Sequence, residues 1–565
     1  MTRRPVMVSH QSAILRVTTG LTLLLAASPP AAAQLARDSA ASIDRVFARL
    51  NRTDAPGCVV GLDRDGRPLY RKGYGMASLE FAVPLDENSV SESGSVAKQF
   101  TAAAVAYLAV QGKLALEDEV RKYIPELRDY GTPVTIRMLL NHTSGVRDMW
   151  TLFTVAGQPL GENLFSMDRA LAMVYRQREL NFPPNSQFLY SNSGFLLLSE
   201  IVKRVSGMPL DRFSQEIFFR PLGMTHTQWR SDWNRIVPGR VTAYVPADSG
   251  GFRVDMPYMS VYGAGGLLTT VGDLLIWNEN LTHPRVGGQA FVDSMQRQGR
   301  LTSGRQIDYA LGLFLDKYRD EPEVQHSGAT GGYRTFLARY PKRGLSVAVL
   351  CNVGNANPIR LGRQVIDVFM GPASGPDGRS ATAEPAGTTV GPDELANFPG
   401  KYRASATEEV IAISAKNGKL TANLGFEVPL IQVSKNRFTS SANQLGLTFE
   451  TGPTGRPTRL TSVNPDGDTT HYEPVTTAKL TGPEAAALAG PYYSDELDAT
   501  YFVTPRDTAV AVRIGALPEV VYPRTGRDSF ARPGSGIRFT RGKTGRIDGL
   551  LIFAGRVRNL HFVKR

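Results

Sequence analysis

The apolar residues change their period along the chain. From Ser95 to Gln111 they fall at Phe100, Ala103, Ala104, Tyr107 and Leu108, spaced by three and four, and Gly112 follows. That pattern predicts a helix with Gly112 as its stop. A second apolar stretch, Phe195 to Val202, predicts another helix. Gly57-Cys-Val-Val-Gly-Leu62 and Leu345-Ser-Val-Ala-Val-Leu-Cys351 are short valine-rich runs that predict the first and last strands of a mixed first domain. Beyond Pro392 the apolar residues come in short alternating runs divided by turns, with almost no helical period, which predicts all-β structure.

That β region repeats itself at an offset of 90 residues. Gly400-Lys-Tyr402 is matched by Gly490-Pro-Tyr492, Leu447 and Phe449 by Ile537 and Phe539, Leu460 by Leu550, and His471 by His561. One constant offset implies two tandem copies of one unit, each expected to be a small antiparallel barrel or sandwich. Gly371 to Pro392 is rich in Gly, Pro, Ala, Ser and Thr and reads as a linker. At the other end, Arg3, Arg4 and Arg16 accompany the apolar core Val17–Ala27, Pro29-Pro30 and the small-residue run Ala31-Ala32-Ala33. This predicts a cleavable secretory signal over 1–33 and a periplasmic or secreted protein, with Sec and twin-arginine export both open. The run is too short to span a bilayer, and no stable membrane insertion is expected. The expected map is then 1–33 signal peptide, 34–370 catalytic domain, 371–392 linker, 393–478 first β unit and 479–565 second β unit.

Composition narrows the choice. Of 565 residues, 42% are hydrophobic and 21% charged, which excludes disorder of the whole chain. The formal charge is +12, but the basic residues are interleaved with acidic ones rather than gathered on a face, so no nucleic-acid partner is expected. Two cysteines, Cys58 and Cys351, exclude a small disulfide scaffold. The seven histidines form no His-Glu-x-x-His or Cys/His cluster, so neither a metal nor a cofactor is expected.

The candidate chemistry begins at Ser95-Val-Ala-Lys98. On a helix these two side chains stand three apart and share a face. A serine hydroxyl becomes a nucleophile when a base takes its proton, and a lysine held in a dry pocket can be that base. Alone, the pair also describes a serine near a helix start with a solvated lysine, and Tyr190 alone reads as a core aromatic before the helix at Phe195. Lys543-Thr544-Gly545 lies where the earlier copy has Pro453-Thr-Gly455 and reads as a turn.

Taken together, Ser93-Gly-Ser95-Val-Ala-Lys98, Leu139-Leu-Asn-His-Thr-Ser-Gly145, Tyr190-Ser-Asn192, Gly263 to Asp273 and His326-Ser-Gly328 closely resemble the serine β-lactamase and penicillin-binding protein superfamily, in its class C and esterase-like branch. The resemblance runs from about Ala55 to Phe369. It implies an α+β fold, an antiparallel sheet with helices on both faces, followed here by two small all-β barrel-like domains. It also implies roles. Ser95 would be the nucleophile, with Lys98 and Tyr190 as proton-transfer groups and His326 in the third catalytic element. Asn192 would orient the substrate, Gly328 and Ala329 would line it, and the N–H of Ala329 would join that of Ser95 in an oxyanion hole. His326-Ser-Gly328 would lie on an edge strand facing the serine, and His142 would be structural.

The layout with two terminal β units, Gly145-Val-Arg-Asp-Met-Trp150 and Gly490-Pro-Tyr-Tyr-Ser-Asp-Glu-Leu-Asp-Ala499 are most similar to the three-domain D-stereospecific aminopeptidases. The expected substrates are therefore small peptides, amides or esters. A carboxylesterase or weak β-lactamase of the same fold is an alternative, and a catalytically silent envelope-binding protein is another. The resemblance leaves the oligomeric state open. In those aminopeptidases an extended loop of the last barrel reaches the cleft. Here only Ala531-Arg-Pro-Gly-Ser-Gly536 separates Phe530 from Ile537, so the lid is expected to be missing and the cleft open. In this superfamily the strands carrying Cys58 and Cys351 are neighbours. A bridge is possible there, although two reduced, buried thiols are the favoured expectation.

Overall fold

The structure, a computed structural model, describes residues 31–371, 395–416, 418–440, 445–463 and 469–565. Residues 1–30 of the expected signal and 372–392 of the expected linker lie outside the described residues, while Ala31 already belongs to helix α1 (Ala31–Phe47). Among the described residues no helix is long and apolar enough to cross a membrane.

A six-stranded antiparallel sheet organises the first part. Its order is Phe314–Tyr318, Glu321–Thr330, Tyr333–Tyr340, Leu345–Cys351, then β1 (Cys58–Arg64) and β2 (Arg67–Tyr74). Strand alternation assigns the two faces. Cys58, Val60 and Leu62 of β1 join a core with Ile43 and Phe47 of α1 and Leu361 and Val365 of the helix Pro358–Met370. Val59 points the other way, into the larger core with Phe100, Leu274 and Leu337. Gly61 lets the helix Val271–Asn280 close on the sheet, since a Cβ there would stand 2.8 Å from Leu275 Cδ1. Helices thus cover both faces, as the resemblance implies.

Cys58 and Cys351 are direct register partners in adjacent strands, and they are joined as a disulfide. This corrects the favoured expectation of two reduced thiols. The apolar runs around them indicated burial, but pairing depended on a register that the sequence alone does not specify.

The terminal β region forms two nearly closed, barrel-like units, with nine strands in the first and eight in the second among the described residues. The repeat is visible in detail. Tyr402 donates its hydroxyl to the Phe398 carbonyl (2.8 Å), and Tyr492, 90 residues on, donates to that of Leu488 (2.9 Å). The Lys543-Thr544-Gly545 stretch is a turn closed by Gly545 N–H to the Gly542 carbonyl, matching Gly455 to Gly452 in the earlier copy.

The two units differ in where they pack. The first has a core of its own around Phe398, Leu447 and Phe449. The second shares one apolar cluster with the catalytic part, joining Tyr501, Val512 and Leu560 to Leu152 and Phe153. An ion pair anchors this junction. Arg147 and Glu496 meet at 2.7 Å with side chains 0% and 1% exposed. Arg147 also donates to the Arg558 and Asn559 carbonyls, and the Glu496 oxygen that meets Arg147, Oε2, accepts the Arg178 N–H as well. Removing one partner of a buried pair strands the other charge and typically costs about 3–5 kcal/mol. Glu496→Ala is therefore expected to lower unfolding free energy by about that amount in urea titration, whereas Lys479→Ala, in an exposed pair with Asp507, is expected to cost about 1 kcal/mol or less.

Candidate active site

Ser95 lies in a tight 3-10 turn, Gly94–Ala97, that leads into helix α2 (Lys98–Val110). The predicted helix is present, with Gly112 at φ +67° just beyond its end. Its early residues are buried on all sides, and the run Ala102-Ala103-Ala104 keeps it slim enough to pack against the helix Asn192–Ser206.

Lys98 Nζ is fully buried. It stands 3.2 Å from Ser95 Oγ, 2.8 Å from Asn192 Oδ1 and 2.5 Å from the Ala264 carbonyl. Burial pushes its pKa well below the ordinary lysine value, the positive charge of Arg556 adds to that, and Asp148 opposes it. Tyr190, just before the helix Asn192–Ser206, places its ring 4.8 Å from Nζ. Its buried hydroxyl has no closed hydrogen bond, and burial raises its pKa while the neighbouring Ser95 hydroxyl works against that rise. His142 stacks on Tyr190 at 4.1 Å and accepts the Ser191 N–H at Nδ1, so it holds the tyrosine in place.

Asn192 is fixed from behind. Asp148 Oδ2 accepts its backbone N–H at 2.7 Å and its Nδ2 at 2.8 Å, so the amide oxygen must face Lys98. Asp148 Oδ1 meanwhile caps the helix Met149–Val155 at Thr151 N–H.

The strand Glu321–Thr330 brings His326, Gly328 and Ala329 to the same place. The expectation of an edge strand holds for half of it. Residues Glu321 to Gln325 pair with Phe314–Tyr318, whereas His326 to Thr330 extend past that partner and run against the serine turn. Here glycine is required, because a Cβ on Gly328 would sit 2.0 Å from the Ser93 carbonyl oxygen. Ala329 N is so close to Gly94 that a Cβ on Gly94 would be 2.5 Å from it. The backbone N–H groups of Ser95 and Ala329 thus stand on adjoining chain segments. His326 is 2% exposed, its Nδ1–H donates to the Ser327 carbonyl (2.6 Å), and its Nε2 accepts from Tyr309 (3.0 Å). Burial, then nearby Lys98, pushes its pKa down to about 3, so the ring is neutral.

Six of the seven residues predicted from the sequence therefore line one cleft of about 1430 Å³, and the seventh, Lys98, lies beneath it. Four further groups escaped the sequence reading: Asp148, the Ala264 carbonyl, Tyr309 and Arg556. Asp148 and Ala264 lie inside segments that carried the family resemblance, and a charged Arg147-Asp148 pair before an apolar helix was a legible sign of buried anchoring. Tyr309 and Arg556 had no local signature.

As expected, no long lid covers the cleft among the described residues, but the second β unit docks so closely that two short turns reach the site. One is Arg532 to Ser535, and the other is the tip at Gly555-Arg556 between the strands Ile547–Ala554 and Val557–Lys564. Arg556 Cζ lies 4.7 Å from the Tyr190 ring centroid. The Arg147–Glu496 junction and the shared core do the work that a long loop would do.

This is the β-lactamase/transpeptidase fold carrying two barrel-like β units, with a serine at a helix start, a buried lysine and a tyrosine gathered beside a strand backbone. The chain belongs to the Beta-lactamase family, whose model matches residues 43–366. Among its relatives, a penicillin-binding protein of Bacillus subtilis is 30% identical over 290 residues, 49% of this chain and 63% of the relative's length. The chain thus spans under two thirds of that protein. A D-aminopeptidase of Brucella anthropi is 23% identical over 457 residues, covering 79% of this chain and 81% of its own. An octameric penicillin-binding protein homologue from Pyrococcus abyssi shares the fold with TM-score 0.53 and 20% identity, over 77% of this chain and 99% of that one.

A lysine whose folded pKa is depressed binds fewer protons folded than unfolded between that pKa and 10.5, so it weakens the fold there, and stability rises as pH climbs toward 10.5. Lys98→Met removes that penalty. The variant is expected to melt above the wild type at pH 7, with the gap narrowing toward pH 10, as followed by calorimetry.

Proposed function

We propose that the protein is a covalent serine hydrolase of small peptides, amides or esters, of D-aminopeptidase type in its layout. One observation carries this reading: the Lys98 amine, kept dry and with its proton affinity lowered by burial, stands 3.2 Å from Ser95 Oγ. Ser95 Oγ attacks the substrate carbonyl carbon as its proton passes to Lys98, and the carbonyl oxygen becomes an oxyanion received by the N–H groups of Ser95 and Ala329. The tetrahedral species then expels the leaving group, which takes a proton relayed through Lys98 and Tyr190. Water attacks the acyl-enzyme, gives its proton to the same pair, and releases the acid and Ser95. Asn192, held by Asp148, orients both the amine and the substrate. His326, neutral and fixed by Tyr309, shapes the strand edge rather than carrying charge.

The similarity to D-aminopeptidases supports amide substrates, and the same acyl-enzyme accepts esters. The sequence of residues 1–33 supports export, and the composition of 371–392 supports a division into a catalytic domain and two β domains at the limits given above.

Ser95→Ala is expected to abolish covalent labelling by a fluorophosphonate, read by intact-protein mass. Labelling that survives would overturn the assignment. Lys98→Ala and Tyr190→Phe are each expected to lower kcat by about 10²–10⁴-fold.

A further inference from the structure

The rim of the cleft carries one sign of charge. Arg334, Arg532 and Arg556 line it, and Asp148 is its one acidic residue. Asp148 is 1% exposed and its oxygens already receive three N–H bonds, two from Asn192 and one from Thr151. Its nearest approach to Arg556 is 4.0 Å, the limit of an ion pair. Arg334 spends its Nη1 on the Gly331 and Tyr333 carbonyls, and Asp255 influences it only from outside ion-pair distance. Among the described residues, no carboxylate pairs with Arg334 or Arg532, and the guanidinium of Arg556 donates to no protein acceptor. Of the remaining ionisable groups facing the floor, His326 has its pKa pushed down to about 3, and burial holds that of Lys98 well below the ordinary lysine value.

The Arg556 side chain is 43% exposed, its plane rests on Tyr190, and its backbone is tied down. Its carbonyl accepts from Asn181 Nδ2 at 2.9 Å and from Asp148 N–H at 3.4 Å. A guanidinium so placed offers a fork of unused donors within reach of the tyrosine that faces Ser95. A cleft of one sign also concentrates ligands of the other.

We infer that Arg556, delivered to the cleft by the second β unit, is a specificity residue that binds a carboxylate of the substrate close to the scissile bond. The inference rests on the hydrolase reading above and names its substrate class: short acyl compounds that carry a free carboxylate, such as dipeptides, in preference to their amides. The anion anchor comes from the neighbouring β unit, whereas the strand facing the serine offers a neutral histidine in its place.

The test uses the full chain and matched pairs. D-alanyl-D-alanine is compared with D-alanyl-D-alaninamide, and a succinyl with an acetyl p-nitrophenyl ester. Each compound is assayed for kcat/KM and as a competitor of fluorophosphonate labelling at Ser95. We expect the anionic member of at least one pair to be favoured by about 10-fold or more, less so at high ionic strength. That ratio should collapse in Arg556→Ala, invert in Arg556→Glu and be partly kept in Arg556→Lys. Taking ratios within one variant cancels any general loss from disturbing Tyr190, and a fluorophosphonate-labelling variant is by that fact folded at the site. No preference in either pair, or a preference unchanged in Arg556→Ala and Arg556→Glu, overturns the inference and leaves the hydrolase reading intact. Absence of all labelling in the wild type overturns both.

Discussion

A primary amine buried without an ion partner is the constraint around which the rest is arranged. An isolated ammonium group is costly to hold in a dry interior, and burial accordingly lowers the proton affinity of this one. A neutral amine has two N–H donors and one lone pair. Asn192 Oδ1 and the Ala264 carbonyl are both acceptors, at 2.8 and 2.5 Å, and between them they take both donors. In that neutral form the lone pair is left for the third neighbour, the Ser95 hydroxyl, which then donates to the amine. Each acceptor is in turn fixed. Asp148 turns the Asn192 amide so that its oxygen faces inward. The Ala264 carbonyl comes from a bend whose Gly263, at φ +103°, passes so close to the helix that a Cβ would stand 2.9 Å from the Phe195 carbonyl.

The same logic explains why the second β unit belongs to the catalytic body, while the first keeps a core of its own. The segment Gly145 to Asp148 has to carry both the anchor of the unit and the anchor of the site. Arg147 points outward into the junction with Glu496, and Asp148 points inward to Asn192. Adjacent residues with opposite orientations couple domain docking to the position of the substrate amide. Loosening the junction would free the loop that sets Asn192, even though no residue of that ion pair touches the serine.

Local chemistry was legible in the sequence and long-range geometry was not. Ser95 and Lys98 could be read together because three residues on a helix fix a shared face. The β repeat was legible because a constant offset from Tyr402 to Tyr492 survives divergence. The disulfide escapes the sequence, which favours reduced thiols, because valine-rich runs report burial, while pairing depends on register. The edge-strand expectation was half right, since a partner strand of five residues covers only the first half of Glu321–Thr330. The two short turns at the cleft escape the sequence for a related reason. Loop length is visible in sequence, but the reach of a loop depends on how closely its domain docks. Arg556 contacts residues more than 350 positions earlier, and nothing near it in the chain hints at this.

The cleft joins two electrostatic regimes, and a single cation serves both. Its floor is dry, and burial there disfavours the charged forms of Lys98, Tyr190 and His326. Its rim is wet and cationic. Arg556 stands at the border, where its charge disfavours a proton on Lys98 while remaining accessible to a ligand. An anion settling on Arg556 would offset that charge. The proton affinity of Lys98 would then rise at the moment a substrate is in place, making the amine a stronger base for the Ser95 proton. In the empty cleft the guanidinium has the contrary effect and adds to the lowering of the amine's proton affinity that burial begins. Recognition of the substrate and activation of the nucleophile would then be coupled through one charge, supplied by a domain that contributes no reacting atom.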